Sequence, residues 1–369
     1  MDPTGAFEWY ADWAADVSPL YERLARGVAD DRVLLDIANE AREEQPAPQL
    51  LFAAVHALLL GGGGGDGNDH ENDQGLEREL AAFYPTCSDD PLALTEGAFG
   101  YFPEFCLANE RAVRETVATR SVRTNDVGRS AILFPAFEYL SRVTGRVPLA
   151  LVEIGASAGL NLYWDRYRYE YDGHRLCGDP DSPVRIASAV RGKRDPPLPP
   201  SPPNVAVRVG IDLNPLDVTD PDDARWLRAL VIPDQRERHE RLASAIDLVR
   251  ERSPDIVAGD ALDTLPDVLD RLPENGIACV YSTLTTYQLG ENGVADLEEV
   301  LADRGRKRTI HWLSDDLFAE RDRPIYRHVA LSDDDRIETR LAEYESYGQW
   351  TRWIASPENS STGCVGSSG

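Results

Sequence analysis

Four residues in one short stretch have the types and spacing that chemistry needs: Glu153, Gly155, Ser157 and Gly159, in LVEIGASAGLNL (151–162). The glycines let the backbone double back and bring N–H groups to the start of a helix, whose positive end favours anionic or oxygen-rich ligands. The carboxylate of Glu153, just ahead of the turn, can face the same crevice. Ser157 supports a second chemistry, nucleophilic attack from a strained turn. The elements that must position these residues can be read on either side. Leu149, Ala150, Leu151, Val152 and Ile154 form a short apolar run that predicts a strand, and Ala158 to Trp164 takes up helical spacing.

An acidic residue followed by a glycine-rich turn resembles the first nucleotide-binding strand of S-adenosylmethionine-dependent methyltransferases. The pattern there is apolar-apolar-acidic-apolar-Gly-x-Gly-x-Gly, and Ser157 stands in the middle glycine's place. Gly155 to Gly159 is also similar to the G-x-S-x-G elbow of α/β-hydrolases. A hydrolase needs an acid and then a histidine further along, with oxyanion donors from an earlier loop. Asp260 with His311 or His328 gives that chain order, but no motif marks any of them. The only upstream glycine cluster, Gly61 to Gly65, reads as a linker. The methyltransferase-like reading is therefore preferred, and a serine esterase using Ser157 is kept as the alternative.

Two more acidic residues fall at strand ends where that pattern uses them. Val205 to Ile211 predicts a second strand ending at Asp212, the position that accepts ribose hydroxyls, normally about 20 residues beyond the glycine turn. Asp212 lies 53 residues beyond Gly159 (212 − 159), and a proline-rich insertion at 172–204 accounts for the excess. Asp255 to Ala258 predicts a third strand, followed by Asp260 at the place that contacts adenine in the methyltransferase pattern. Asp212 serves as well to cap the turn that follows it. Tyr281 ends a fourth predicted strand, Gly276 to Tyr281, where a hydroxyl can orient a substrate because ligands bind outside the carboxyl ends of strands. Asn125 and Arg129, in a polar loop one helix before the first strand, are the other substrate-side candidates. The plainer reading of that loop is a capped surface connection.

Before Leu149 the apolar spacing is helical throughout, as in Phe7, Tyr10, Trp13 and Ala14 or Leu51, Phe52, Val55, Leu58 and Leu59. After it, strands and helices alternate through a fifth strand, Arg308 to Leu313. Tyr326 to Leu331, Asp335 to Tyr344 and Gln349 to Ile354 then read as strands, the last two as a hairpin. The order predicts an α/β fold with a Rossmann-like methyltransferase-type sheet, mostly parallel with a terminal antiparallel hairpin, over 146–355. An all-helical domain over 1–145 precedes it, containing a flexible acidic glycine-rich insertion at 61–75. The 172–204 insertion is a candidate lid with a short hairpin near Val184, and 356–369 is an expected disordered tail.

The 369 residues carry 64 acidic against 38 basic side chains, a net charge of −26, and Lys193 and Lys307 are the only lysines. Such a surface stays hydrated in molar salt, where screening acts over about 3 Å, so a salt-rich cytoplasm is expected. No basic stripe exists to neutralise phosphates, which excludes a nucleic-acid partner and favours a small-molecule substrate. Five scattered cysteines and six isolated histidines predict neither a disulfide framework nor a metal site. The longest apolar run, Leu50 to Leu60, is too short to span a bilayer, so no membrane association is expected.

Together, EIGASAGLNL at 153–162, GIDLNPLDV at 210–218, RTNDVGRS at 123–130 and GQWTRW at 348–353 resemble the domain-of-unknown-function family 2332. The resemblance covers most of the chain outside the glycine insertion and the tail. It implies a methyltransferase-like core and no particular activity. The expectation is an S-adenosylmethionine-dependent methyltransferase of unknown acceptor, with Glu153, Gly155, Ser157 and Gly159 shaping the methionine and ribose side, Asp212 the ribose and Asp260 the adenine. Alternatives are the esterase and a non-catalytic nucleotide-binding protein.

Overall fold

The computed structural model describes residues 2–62, 71–94, 97–316, 324–333 and 335–356. The chain divides into two compact units, one of Met1–Thr124 with Thr219–Ala243, the other of Asn125–Val218 with Ser244–Gly369. This differs from a division at residue 145. The helix Ser130–Val143 belongs to the second unit because its residues 130–141 are all buried, and a helix apolar on every side needs cover on every side. Residues 219–243 instead complete the first unit.

The first unit is built of helices that begin where short polar side chains accept the free amides of the first turn. Asp2, Ser18, Asp31 and Asp220 cap the helices Pro3–Ala14, Pro19–Ala29, Arg32–Ala38 and Pro221–Ala229. Their apolar faces meet around Phe52 on the helix Ala47–Leu60, whose ring lies 4.9 Å from Tyr21 and 5.7 Å from Phe102. The helix Glu71–Ala81 takes up part of the expected 61–75 insertion, and 63–70 lie outside the described residues.

The second unit holds eleven strands: β1 Leu149–Ile154, β2 Arg168–Tyr171, β3 Arg175–Gly178, β4 Arg185–Val190, β5 Val205–Asp212, β6 Ile256–Ala258, β7 Ile277–Tyr281, β8 Ile310–Asp316, β9 Ile325–Ser332, β10 Asp335–Tyr344 and β11 Trp350–Trp353. They form one sheet in the order β3-β2-β4-β11-β10-β9-β8-β7-β1-β5-β6. Pairs β6–β5–β1–β7–β8 are parallel, as are β2–β4 and β4–β11, while β2–β3, β8–β9, β9–β10 and β10–β11 are antiparallel. The fold is thus mixed α/β with a mostly parallel sheet. Strand β1 lies third from the β6 edge, between β7 and β5, and all six of its residues are buried, as expected of a parallel strand covered on both faces.

Three expectations change. The insertion 172–204 is no lid: it supplies β3 and β4, and β4 buries Ile186 and Ser188 on alternate positions while pairing with β2 and β11. The terminal strands do more than form a hairpin: the final strand β11 lies between β10 and β4, antiparallel to the first and parallel to the second. The expected hairpin of the last two strands is present as β10–β11. The element after the glycine turn is a short 3₁₀ segment, Leu160–Arg166, broken by Tyr163 at φ −104°, and the chain enters β2 directly. A 3₁₀ segment that short brings little of the dipole expected from an α-helix.

One face of the sheet packs Ala150, Val152, Ile154, Val280 and Trp312 under Leu265, Leu269, Leu297 and Leu301 of the helices Ala261–Arg271 and Gly290–Gly305. On the other face Phe137 of the Ser130–Val143 helix stacks on Trp164 at 4.5 Å and meets Tyr281 edge-on at 5.1 Å.

Candidate functional site

After β2, β3 and β4 the chain adds β5 and β6 on one side of β1, then crosses to its other side with β7 and β8. The carboxyl ends flanking that reversal are where open α/β sheets bind ligands. Glu153, the 155–159 turn, Asp212, Asp260 and Tyr281 all lie at these ends, and Asp315 joins them at the end of β8.

The turn is held from within. Gly155 N and Ala156 N both donate to Ile211 O, at 2.8 and 3.2 Å, and Gly159 N donates to Ala156 O at 2.7 Å. Ser157 N donates to Asp212 Oδ2 at 2.8 Å. Asn125 closes the far side, its amide donating to Ala156 O at 3.1 Å and accepting from Leu160 N at 3.0 Å. The turn is therefore no open cradle of N–H groups. Gly155 is required twice over: its φ is +73°, and a Cβ there would lie 2.2 Å from Thr285 Cγ2. Ser157 adopts φ +53°, is 4% exposed, and its Oγ has no hydrogen-bond partner.

Glu153 does not face the crevice. Strand alternation turns it beneath the Ser130–Val143 helix, opposite Tyr281 in register, and it is 1% exposed. Burial pushes its carboxyl up to about 8, against the Tyr281 hydrogen bond and the Arg129 charge, which lower it. Tyr281 Oη lies 3.2 Å from both Glu153 Oε2 and Asn161 O. A hydroxyl has one proton, so a protonated Glu153 that donates to Tyr281 satisfies both contacts at neutral pH. Tyr281 is fully buried and does not reach a substrate-side surface.

Asp212 accepts from Ser157 N through Oδ2 and from Asn214 N, at 2.9 Å, through Oδ1. Asp260 is exposed and caps the Ala261–Arg271 helix, accepting from Leu262 N at 2.8 Å. Arg129 donates to Thr283 O at 3.3 Å and to Ser346 O at 3.4 Å, which fastens the loop after β7 instead of presenting a cation outward.

His311 and His328 are not brought to Ser157. They face each other across β8 and β9, with Nδ1 of the first 2.9 Å from Nε2 of the second, and burial lowers them to about 4 and 3. The expected triad is dispersed.

Asp315 was not among the sequence candidates. It is 4% exposed, accepts from Leu284 N at 2.5 Å and from the Tyr344 hydroxyl, and is pushed up to about 6 by burial. It holds Leu284 at φ +49° and so shapes the loop that carries Thr285 over Gly155. Its signal was present: like Glu153 and Asp212, it is an acidic residue closing an apolar strand. Among the described residues no cluster of three or more His, Cys, Asp or Glu could hold a metal ion, and no helix is long and apolar enough to cross a membrane.

A search of curated proteins found no match, and a search of solved structures found none. A family model described as "Uncharacterized protein conserved in bacteria (DUF2332)" matches residues 4–353, which is nearly the whole chain. A match of that extent, spanning both units and every strand of the sheet, makes the chain a member of the DUF2332 family.

Proposed function

We propose that the chain binds S-adenosylmethionine at the carboxyl ends of β1, β5 and β6 and transfers a methyl group to a small acceptor. The observation that carries this is the strand order, which places the glycine turn, Asp212 and Asp260 on three adjacent parallel strands beside the reversal at β1. The side chains present fit such a ligand. Ser157 Oγ is a buried hydroxyl without a partner, and Asp260 is exposed with one carboxylate oxygen engaged in its cap. The turn amides, already bonded, would take no part.

Bound S-adenosylmethionine would supply an electrophilic methyl group. Asp212 would accept from the ribose, Asp260 from the adenine amino group, and Ser157 would meet the polar edge of the ligand. Methyl transfer needs chiefly an acceptor held in line and close, so positioning can supply most of the acceleration. Asn125, Arg129 and Glu153 would act by holding the turn and the loop after β7. A small-molecule acceptor and a salt-rich cytoplasm belong to the same reading and draw support from the charge of −26.

The test is calorimetric titration of the purified chain, in molar potassium chloride, with S-adenosylmethionine and S-adenosylhomocysteine. Micromolar binding of both, lost in Asp212→Ala with the fold intact, is the expected result. Folded protein that binds neither at millimolar ligand would sink the proposal. Binding without turnover on any acceptor would leave a nucleotide-binding protein in its place.

A further inference from the structure

The helical unit contains a second buried polar cluster. Tyr21, His56, Tyr84 and His239 are 4, 0, 0 and 5% exposed. His56 is satisfied: Nδ1 donates to Ala229 O at 3.0 Å, which leaves Nε2 to accept from the Thr86 hydroxyl at 2.7 Å. Its ring lies 5.6 Å from Tyr84 and 6.0 Å from His239. The groups around it are not satisfied. Tyr21 Oη, Tyr84 Oη, His239 Nε2 and Arg228 Nε are all buried without a hydrogen-bond partner among the described residues.

Tyr84 and His239 flank His56, and charge couplings tie Arg228 and Tyr21 to the same group. The Arg228 charge acts on His56, His239 and the Cys87 thiol, and Cys87 in turn acts on Tyr21 and Tyr84. Arg236 fixes the turn bearing Thr86 and Cys87 by donating to Pro85 O at 3.1 Å and Ser88 O at 2.7 Å. The nearby carboxylate, Asp234, accepts from the Ser18 hydroxyl.

An arginine Nε only donates, and two phenolic hydroxyls each have a proton to give. Unpaired buried polar atoms are few in natural proteins, and several together call for an absent partner. That partner must be rich in acceptor oxygens, and a guanidinium without an ion pair among the described residues asks that it be negative. A shortage of acids does not explain Arg228, since the chain has 64 of them.

We propose that the helical unit binds a small oxyanion, the carboxylate or phosphate group of a ligand, among Arg228, His239, Tyr21 and Tyr84. Arg228 is half-buried, so its outer edge marks the approach, and the hydroxyls and the imidazole receive the oxygens inside. The site is independent of methyl transfer.

The test is titration of the full chain, in molar potassium chloride at constant ionic strength, with potassium phosphate, sulfate and acetate, together with thermal melts. At least one anion is expected to bind saturably at one site and to raise Tm with concentration. Arg228→Gln should weaken it by about tenfold or more, as loss of a charged hydrogen bond requires. Tyr21→Phe and Tyr84→Phe should weaken it several-fold and leave the ligand-free Tm unchanged or higher, since each removes an unpaired buried hydroxyl. Folded protein that binds none of the three, or an Arg228→Gln variant that binds equally well, would overturn the proposal. So would Tyr→Phe variants that lower the ligand-free Tm, because the hydroxyls would then be bonded to buried water only.

Discussion

The Asn125 amide ties the two ends of the glycine turn, and its removal leaves Leu160 N buried without its acceptor and Ala156 O with Gly159 N alone. Asn125→Ala is accordingly expected to destabilise the second unit by about 2–3 kcal/mol, read as a lowered urea midpoint. A change below about 0.5 kcal/mol would show that water replaces the amide. At this scale the sequence indicated positions better than roles. Gly155 and Asp212 were recognisable from spacing. What they touch was not, because Thr285 over Gly155 and Ser157 N on Asp212 come from residues far away in the chain. Glu153 shows the limit clearly: an acidic residue inside an apolar strand reads as functional, and only tertiary packing makes it a buried partner of Tyr281 whose carboxyl is pushed up to about 8.

Elements with long apolar runs were legible, and those defined by a partner strand were not. Strands β1, β5, β6, β7 and β8 announce themselves by composition and alternate with helices, which is enough to predict a mostly parallel sheet. In the proline-rich segment the sequence offered only a short hairpin near Val184, where β4 lies, and β3 and β4 are completed by backbone bonds to β2 and β11. The placing of β11 between β10 and β4 pairs residues far apart in the chain and carries no local signal. Asp260 connects element and site, since it both caps the Ala261–Arg271 helix and is proposed to meet adenine. Asp260→Asn keeps a capping oxygen and should leave stability within about 0.5 kcal/mol, whereas Asp260→Ala should cost about 1 kcal/mol. Both should weaken S-adenosylhomocysteine binding in calorimetry. Weakening by the alanine variant alone would make Asp260 a cap and nothing more.

For the second unit as a whole, buried ionisable groups set the response to pH. Glu153 is raised from 4.5 to about 8, so between those values the folded state keeps a proton that the unfolded chain has lost, and stability falls as pH rises. Asp315, raised from 3.8 to about 6, acts in the same sense over its own window. His311 and His328, lowered from 6.5 to about 4 and 3, act in the opposite sense, since the unfolded chain takes up their protons first. Between pH 4.5 and 6 two groups therefore oppose two. Above 6.5 Glu153 alone remains, and unfolding of this unit should become easier up to pH 8, by at most about 1.4 kcal/mol per pH unit. Urea midpoints at pH 6.5, 7.25 and 8.0 should fall in the native chain and stay level in Glu153→Gln; a fall that persists in the variant would assign the proton elsewhere.

The central claim is that a nucleoside ligand sits at the carboxyl ends of β1, β5 and β6, and hydrogen exchange with and without S-adenosylhomocysteine tests it most directly. The account predicts slower exchange confined to the amides of 155–160, 212–216 and 259–262, with the rest of the sheet unchanged. Exchange unaltered at saturating ligand, or slowed only at other segments, would contradict it.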